Sequence, residues 1–115
     1  MDKWGPPKWK EIHLQSLDNN HVKFIKTLKN IERAIPCPRC VAHFRQYMKT
    51  HPIRPGTDLI KWGINFHNSV NQRIGKRSLS YTEALKQIYK WKMQEKTWKS
   101  VLVGIVTGII TWNIV

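Results

Sequence analysis

A chain of 115 residues makes one domain, long enough for a modest core and too short for two. Its formal charge of +13 and pI near 10.2 invite acidic partners, whether nucleic acid, anionic lipid or a phosphate-bearing cofactor. Two cysteines, both in one C-x-x-C, exclude a disulfide-stapled secreted scaffold, and Met1-Asp2-Lys3-Trp4-Gly5-Pro6-Pro7 lacks the apolar core of a signal peptide.

Pro6 and Pro7 open a first helix over Gly5 to Leu17, with Trp9, Ile12, His13 and Leu17 at helical spacing. Trp9 and His13, four apart, share a face, a pairing that taken alone serves core packing more often than a ligand clasp. Asp18-Asn19-Asn20 ends this pattern and offers an N-cap to a second helix, whose apolar side reads Val22, Ile25, Leu28, Ile31 and Ile35. A third helix starts near Cys37, set by Pro36 and Pro38, and runs to Lys49 with Val41, Phe44, Tyr47 and Met48 inward. His51-Pro52-Ile53-Arg54-Pro55-Gly56 is a loop. Thr57 or Asp58 then caps a fourth helix with the stripe Leu59, Trp62, Gly63, Phe66, Val70 and Ile74, which Gly75 ends. The polar end of that helix carries His67, Asn68, Asn71, Arg73 and Lys76, and two asparagines within a turn of a histidine imply amides with something to bond.

Ser80-Tyr81-Thr82-Glu83 is a capping box that opens a fifth helix through Leu85, Ile88, Tyr89 and Trp91. Lys86, Lys90, Lys92, Lys96 and Lys99 make its second half basic, as a solvated face or an anionic membrane surface requires. Val101 to Val115 is an uncharged apolar run of 15 residues, shorter than the roughly 20 of a full span, and its terminal position favours a tail anchor over a buried helix. Gly104 and Gly108 form a weak G-x-x-x-G. With no hairpin signal, the reading is all-α: residues 1–95 a helical domain, residues 96–115 a transmembrane segment.

The C-x-x-C admits a small disulfide ring, half of a zinc site, or quiet packing. A helix N-terminus and Arg39 both favour thiolate over thiol, which suits a sulfur that exchanges. Cys37, Cys40, His43 and His51 supply zinc-ligand types at a spacing that matches no standard finger, and no second C-x-x-C completes a ribbon. A thioredoxin-like site needs a preceding strand, which is absent from the pattern.

Three segments, WGPPKWKEIH (Trp4 to His13), PCPRCVAHF (Pro36 to Phe44) and WGINFHNSVNQRIGK (Trp62 to Lys76), resemble in order and spacing the Erv/ALR family of flavin-dependent sulfhydryl oxidases, in particular the short members of large DNA viruses. The resemblance spans residues 4 to 92 and implies a four-helix bundle plus a short fifth helix, here followed by the C-terminal apolar helix, holding FAD noncovalently and often dimeric. It implies that Cys37 and Cys40 are the catalytic redox pair. Gly5, Trp9, His13, His43, His67, Asn68, Val70, Asn71, Arg73 and Lys76 would then contact the cofactor, Arg73 and Lys76 at its pyrophosphate. No metal is implied. The resemblance further implies that substrate thiols attack Cys37, that electrons pass from Cys40 to FAD, and that O2 is reduced to H2O2. Two positions depart from the pattern: Ile35 stands where many members have an aromatic residue, and Pro6 replaces a common arginine. With no further cysteine to act as a shuttle, the chain is expected to draw on a dithiol protein or a small thioredoxin-like carrier. The lysine flank places the domain in the cytosol, tethered to a host or virion membrane. The rival functions are a zinc-binding module or a basic membrane-anchored adaptor without catalysis, and no specific nucleic acid is expected.

Overall fold

The computed structural model describes residues 5–114, with side chains placed for residues 5–97. Five helices and no strand are present among them: α1 (Gly5–Ser16), α2 (His21–Ala34), α3 (Pro38–Thr50), α4 (Leu59–Arg73) and α5 (Tyr81–Ile114). Trp4 lies outside the described residues.

Local chemistry sets the starts of α2 to α5. Asn20 accepts from the amide of Lys23 at 3.0 Å, Asp58 from that of Lys61 at 3.1 Å, and Cys37 from that of Cys40 at 3.2 Å. At the start of α5 the capping box forms in both directions, with Glu83 N–H donating to Ser80 Oγ and Ser80 N–H to Glu83 Oε1, each at 3.2 Å. Past α4, Gly75 takes φ 77°, a left-handed turn that a side chain would strain.

α1 to α4 close around one core of Ile12, Phe24, Leu28, Ile31, Phe44, Leu59, Trp62 and Phe66. Phe66 is its hub, with Trp9 of α1, Phe44 and Tyr47 of α3 and Trp62 of α4 all within 5.3 Å, centroid to centroid. Trp62 is buried and donates its indole N–H to the His51 carbonyl at 2.8 Å, which satisfies the polar edge of the ring and ties down the α3–α4 loop. A second cluster of Ile64, Ala84 and Ile88 seats α5 on the other side of α4.

The buried face of α2 differs from the expected stripe. Phe24 is fully buried and Val22 is 80 % exposed, so the inward line runs through residues 24, 28 and 31. The fifth helix is not short: α5 is one helix of 34 residues, because nothing between Glu83 and Ser100 is a proline or glycine that would stop it. It passes the expected boundary at residue 95 without a break. Among the described residues no helix is long and apolar enough to cross a membrane. The side chains of the expected anchor, residues 101–115, lie outside those described.

Candidate functional site

The site is built where the end of α2, the start of α3, the first turns of α1 and the last turns of α4 meet. The C-cap of α2, Ile35, is extended, and Pro36 carries the chain into Cys37, itself the N-cap of α3 with Pro38 in the first helical position. This geometry directs the two sulfurs differently. Cys40, one turn into α3, forms part of the wall of a pocket of about 410 Å³, whereas Cys37 does not. The two are free thiols in the structure.

Their acidities are pulled apart. The Cys37 thiol is held below its ordinary range by its hydrogen bond with the Cys40 side chain, then by the Cys40 amide and by the amide and charge of Arg39. The Cys40 thiol is pushed up by the same hydrogen bond, by burial and by the negative charge of Cys37, which Arg73 partly offsets. Of the two, Cys37 is therefore the sulfur that gives up its proton more readily, and Cys40 the one that keeps it.

The pocket is apolar, with cations at its wall. Trp9, Ile12, Ile31, Ile35, Phe44, Phe66, Val70 and Ile74 supply the apolar surface, and Lys8, Arg39 and Arg73 the positive charge, with Cys40 and His43 between them. A planar apolar group bearing phosphates suits these walls, and a volume of this size is that of a cofactor or ligand site. Of the residues expected to contact a cofactor, Trp9, His43, Val70 and Arg73 stand in this wall. Gly5 packs under the Trp9 indole, its missing Cβ 3.9 Å from Trp9 Cδ1.

His13, buried, and His67, half-buried, form a separate pair behind Trp9. The His67 ring stacks on the Trp9 ring at 4.0 Å and 8°, so no ligand ring enters between them. His13 Nε2 lies 2.9 Å from His67 Nδ1. His13 Nδ1 is buried without a partner, 3.6 Å from where a Cβ on Gly63 would stand. An unmet lone pair is easier to bury than an unmet N–H, so the His13 proton belongs on Nε2 and is donated to His67 Nδ1. Burial, with the charge of His67, pushes His13 down to about 3, and burial with Lys76 pushes His67 down to about 4. The pair is neutral at physiological pH.

Asn68 is occupied within the protein. Its side-chain N–H donates to the Leu79 carbonyl at 2.8 Å and its oxygen accepts the Leu79 N–H at 3.0 Å, clasping the α4–α5 loop. The Asn71 carbonyl accepts the Lys76 amide at 2.8 Å, closing the turn after α4 and placing Lys76 near His67. Neither Asn71 nor Lys76 lines the pocket. Sequence reading missed Lys8 and the pocket role of Arg39, although Lys8 and Ile12 are one turn apart on the edge of α1 that also carries Trp9. Cys37, Cys40, His43 and His51 do not gather: among the described residues no group of three His, Cys, Asp or Glu side chains is placed to hold a metal ion.

An all-helical domain with a C-x-x-C at a helix N-terminus, one sulfur in the wall of an apolar, cation-bearing pocket, defines a dithiol redox module. The chain belongs to the Erv1/Alr family, whose model matches residues 8–96. It is similar to a FAD-linked sulfhydryl oxidase of African swine fever virus, 28% identical over 122 residues that cover 98% of each chain. A second such oxidase, from another isolate of that virus, is 29% identical over 78% of this chain and 82% of its own. The FAD-linked sulfhydryl oxidase of Arabidopsis thaliana is 33% identical over 57 residues, 47% of this chain and 30% of its own.

Proposed function

We propose that this protein is an FAD-linked thiol oxidase that makes disulfides in protein dithiols through Cys37 and Cys40. The observation that carries this reading is the placement of Cys40, but not Cys37, in the wall of the pocket that Trp9, Phe66, Val70 and Arg73 share. In the oxidised pair, a substrate thiolate attacks Cys37 Sγ, the Cys37–Cys40 bond breaks, and the electron pair leaves on Cys40. A second substrate thiol then attacks the mixed disulfide, releasing the substrate as a disulfide and Cys37 as a thiolate, which the Cys40 amide and Arg39 stabilise. Trp9, Phe44, Phe66 and Val70 would hold the flat part of FAD and exclude water, while Lys8, Arg39 and Arg73 would hold its phosphates. When bound, FAD would supply a two-electron acceptor for the reduced pair, with O2 and two protons as the final sink, giving H2O2.

The purified chain is expected to show the visible flavin spectrum at about one flavin per chain and to consume O2 when dithiothreitol is added. Cys40→Ser keeps the flavin and abolishes turnover; a colourless protein that turns over no dithiol refutes the assignment. The relatives described above that match most of the chain are viral, and the reading extends to a homodimer and to a domain facing the cytosol, tethered by residues 101–115 to a host or virion membrane. The apolar run and the lysines before it support that tether. Release of the expressed protein from membranes by alkaline carbonate would remove it.

A further inference from the structure

The carboxylates of the described residues are already engaged. Glu11 pairs with Lys8 at 3.8 Å, Asp18 with Lys23 at 3.8 Å, Glu83 with Arg77 at 3.0 Å and Glu95 with Lys92 at 3.9 Å, Glu32 pairs with Arg45, and Asp58 caps α4. Their distribution is uneven: residues 33–57 contain no Asp or Glu and five Arg or Lys. Both cysteines fall in this acid-free stretch. Arg33 and Arg39 flank Cys37 and are exposed, as are Pro36 and Pro38. Neither arginine has a carboxylate partner among the described residues. Four residues of chain keep the Arg33 Cα within about 14 Å of that of Cys37, and two keep Arg39 within about 7 Å. Arg39 also serves the pocket, but Arg33 does not, and no internal role consumes its charge.

Resting on the oxidase reading, we propose that the physiological dithiol partner carries acidic residues around its cysteines and that Arg33, with Arg39, steers it onto Cys37. The chemistry is that of charge-guided encounter. A cationic rim beside a reactive atom raises the rate of productive collision with an anionic partner by 10-fold or more at low salt, and loses that advantage as salt screens the charges. A small neutral dithiol feels none of it.

The test uses the full FAD-loaded chain and three synthetic dithiol peptides, identical except that glutamates, glutamines or lysines flank the cysteines. At about 0.01 M salt, where screening reaches about 30 Å, the glutamate peptide is expected to show kcat/KM at least about tenfold above the lysine peptide. At about 1 M salt, where screening falls to about 3 Å, the difference should shrink to within about twofold. In Arg33→Glu the advantage should drop severalfold, chiefly through KM, with dithiothreitol turnover unchanged. Equal rates for the three peptides, a preference for lysine, or a preference that Arg33→Glu leaves intact each overturns the proposal. So does a result in which Arg33→Glu loses only its binding to phosphatidylserine vesicles, which assigns the arginines to a membrane instead. Failure of wild type to oxidise even dithiothreitol refutes the oxidase reading itself, and the partner with it.

Discussion

Cys37 and Cys40 have the same side chain and sit one turn apart, yet the start of α3 gives them opposite tasks. The sulfur at the N-cap takes an amide hydrogen bond and the positive end of the helix; the sulfur inside the first turn takes burial and the negative charge of its neighbour. The reduced protein should therefore alkylate at Cys37 before Cys40, with the rate rising through an inflection below that of a free cysteine. Iodoacetamide labelling against pH, read by mass spectrometry, measures this. Arg39→Ala is expected to move the inflection upward without reversing the order, because the Cys40 hydrogen bonds outrank Arg39 in holding the thiolate. First labelling at Cys40 would contradict the assignment of Cys37 as the attacked sulfur.

At the scale of elements, Asn68 shows how a residue in a family segment acts by shaping the chain. Both ends of its amide are used on Leu79, across a turn that must reverse the chain between α4 and α5. Asn68→Ala leaves a part-buried N–H and C=O of Leu79 without partners and should cost about 2–3 kcal/mol, read as a fall in the urea midpoint. Asn71→Ala, whose side chain makes no such clasp, should change stability by less than about 0.5 kcal/mol. The helix starts were legible because their signals are local: Asn20, Asp58 and the Ser80–Glu83 box each mark the position where the structure begins a helix. The α2 face was not, since Val22 and Phe24 both fit a loose apolar pattern and only the packing of Phe24 edge-on to Trp62, at 5.8 Å, selects one of them. The pocket was legible in part for the same reason. Trp9, Val70 and Arg73 stand in the family segments, as do Lys8 and Ile74, whereas Ile31 lies outside them and becomes wall only when separate helices converge.

The molecule as a whole ties three of its helices together through the histidine pair beside Trp9. His13 on α1 reaches His67 on α4, and its ring lies 6.2 Å from Trp91 on α5, so three helices meet on two neutral imidazoles. Their protonation is therefore linked to folding. Unfolded, both histidines bind a proton near pH 6.5; folded, they resist until about 4 and about 3. Folded values depressed in this way mean that the neutral pair's contribution is intact above pH 6.5 and is lost as pH falls toward the folded values. Each histidine should then lower stability by about 1.4 kcal/mol per pH unit, about twice that for the pair between pH 6.5 and about 4, and from His13 alone between about 4 and about 3. His67→Phe keeps a flat ring to stack on Trp9 and removes one titrating group, so it should lower stability at neutral pH through the lost hydrogen bond yet halve the slope of stability against pH between 6 and about 4.5. Chemical denaturation across that range separates the two effects. An unaltered slope in His67→Phe would mean that the acid sensitivity of the fold resides elsewhere than in this pair.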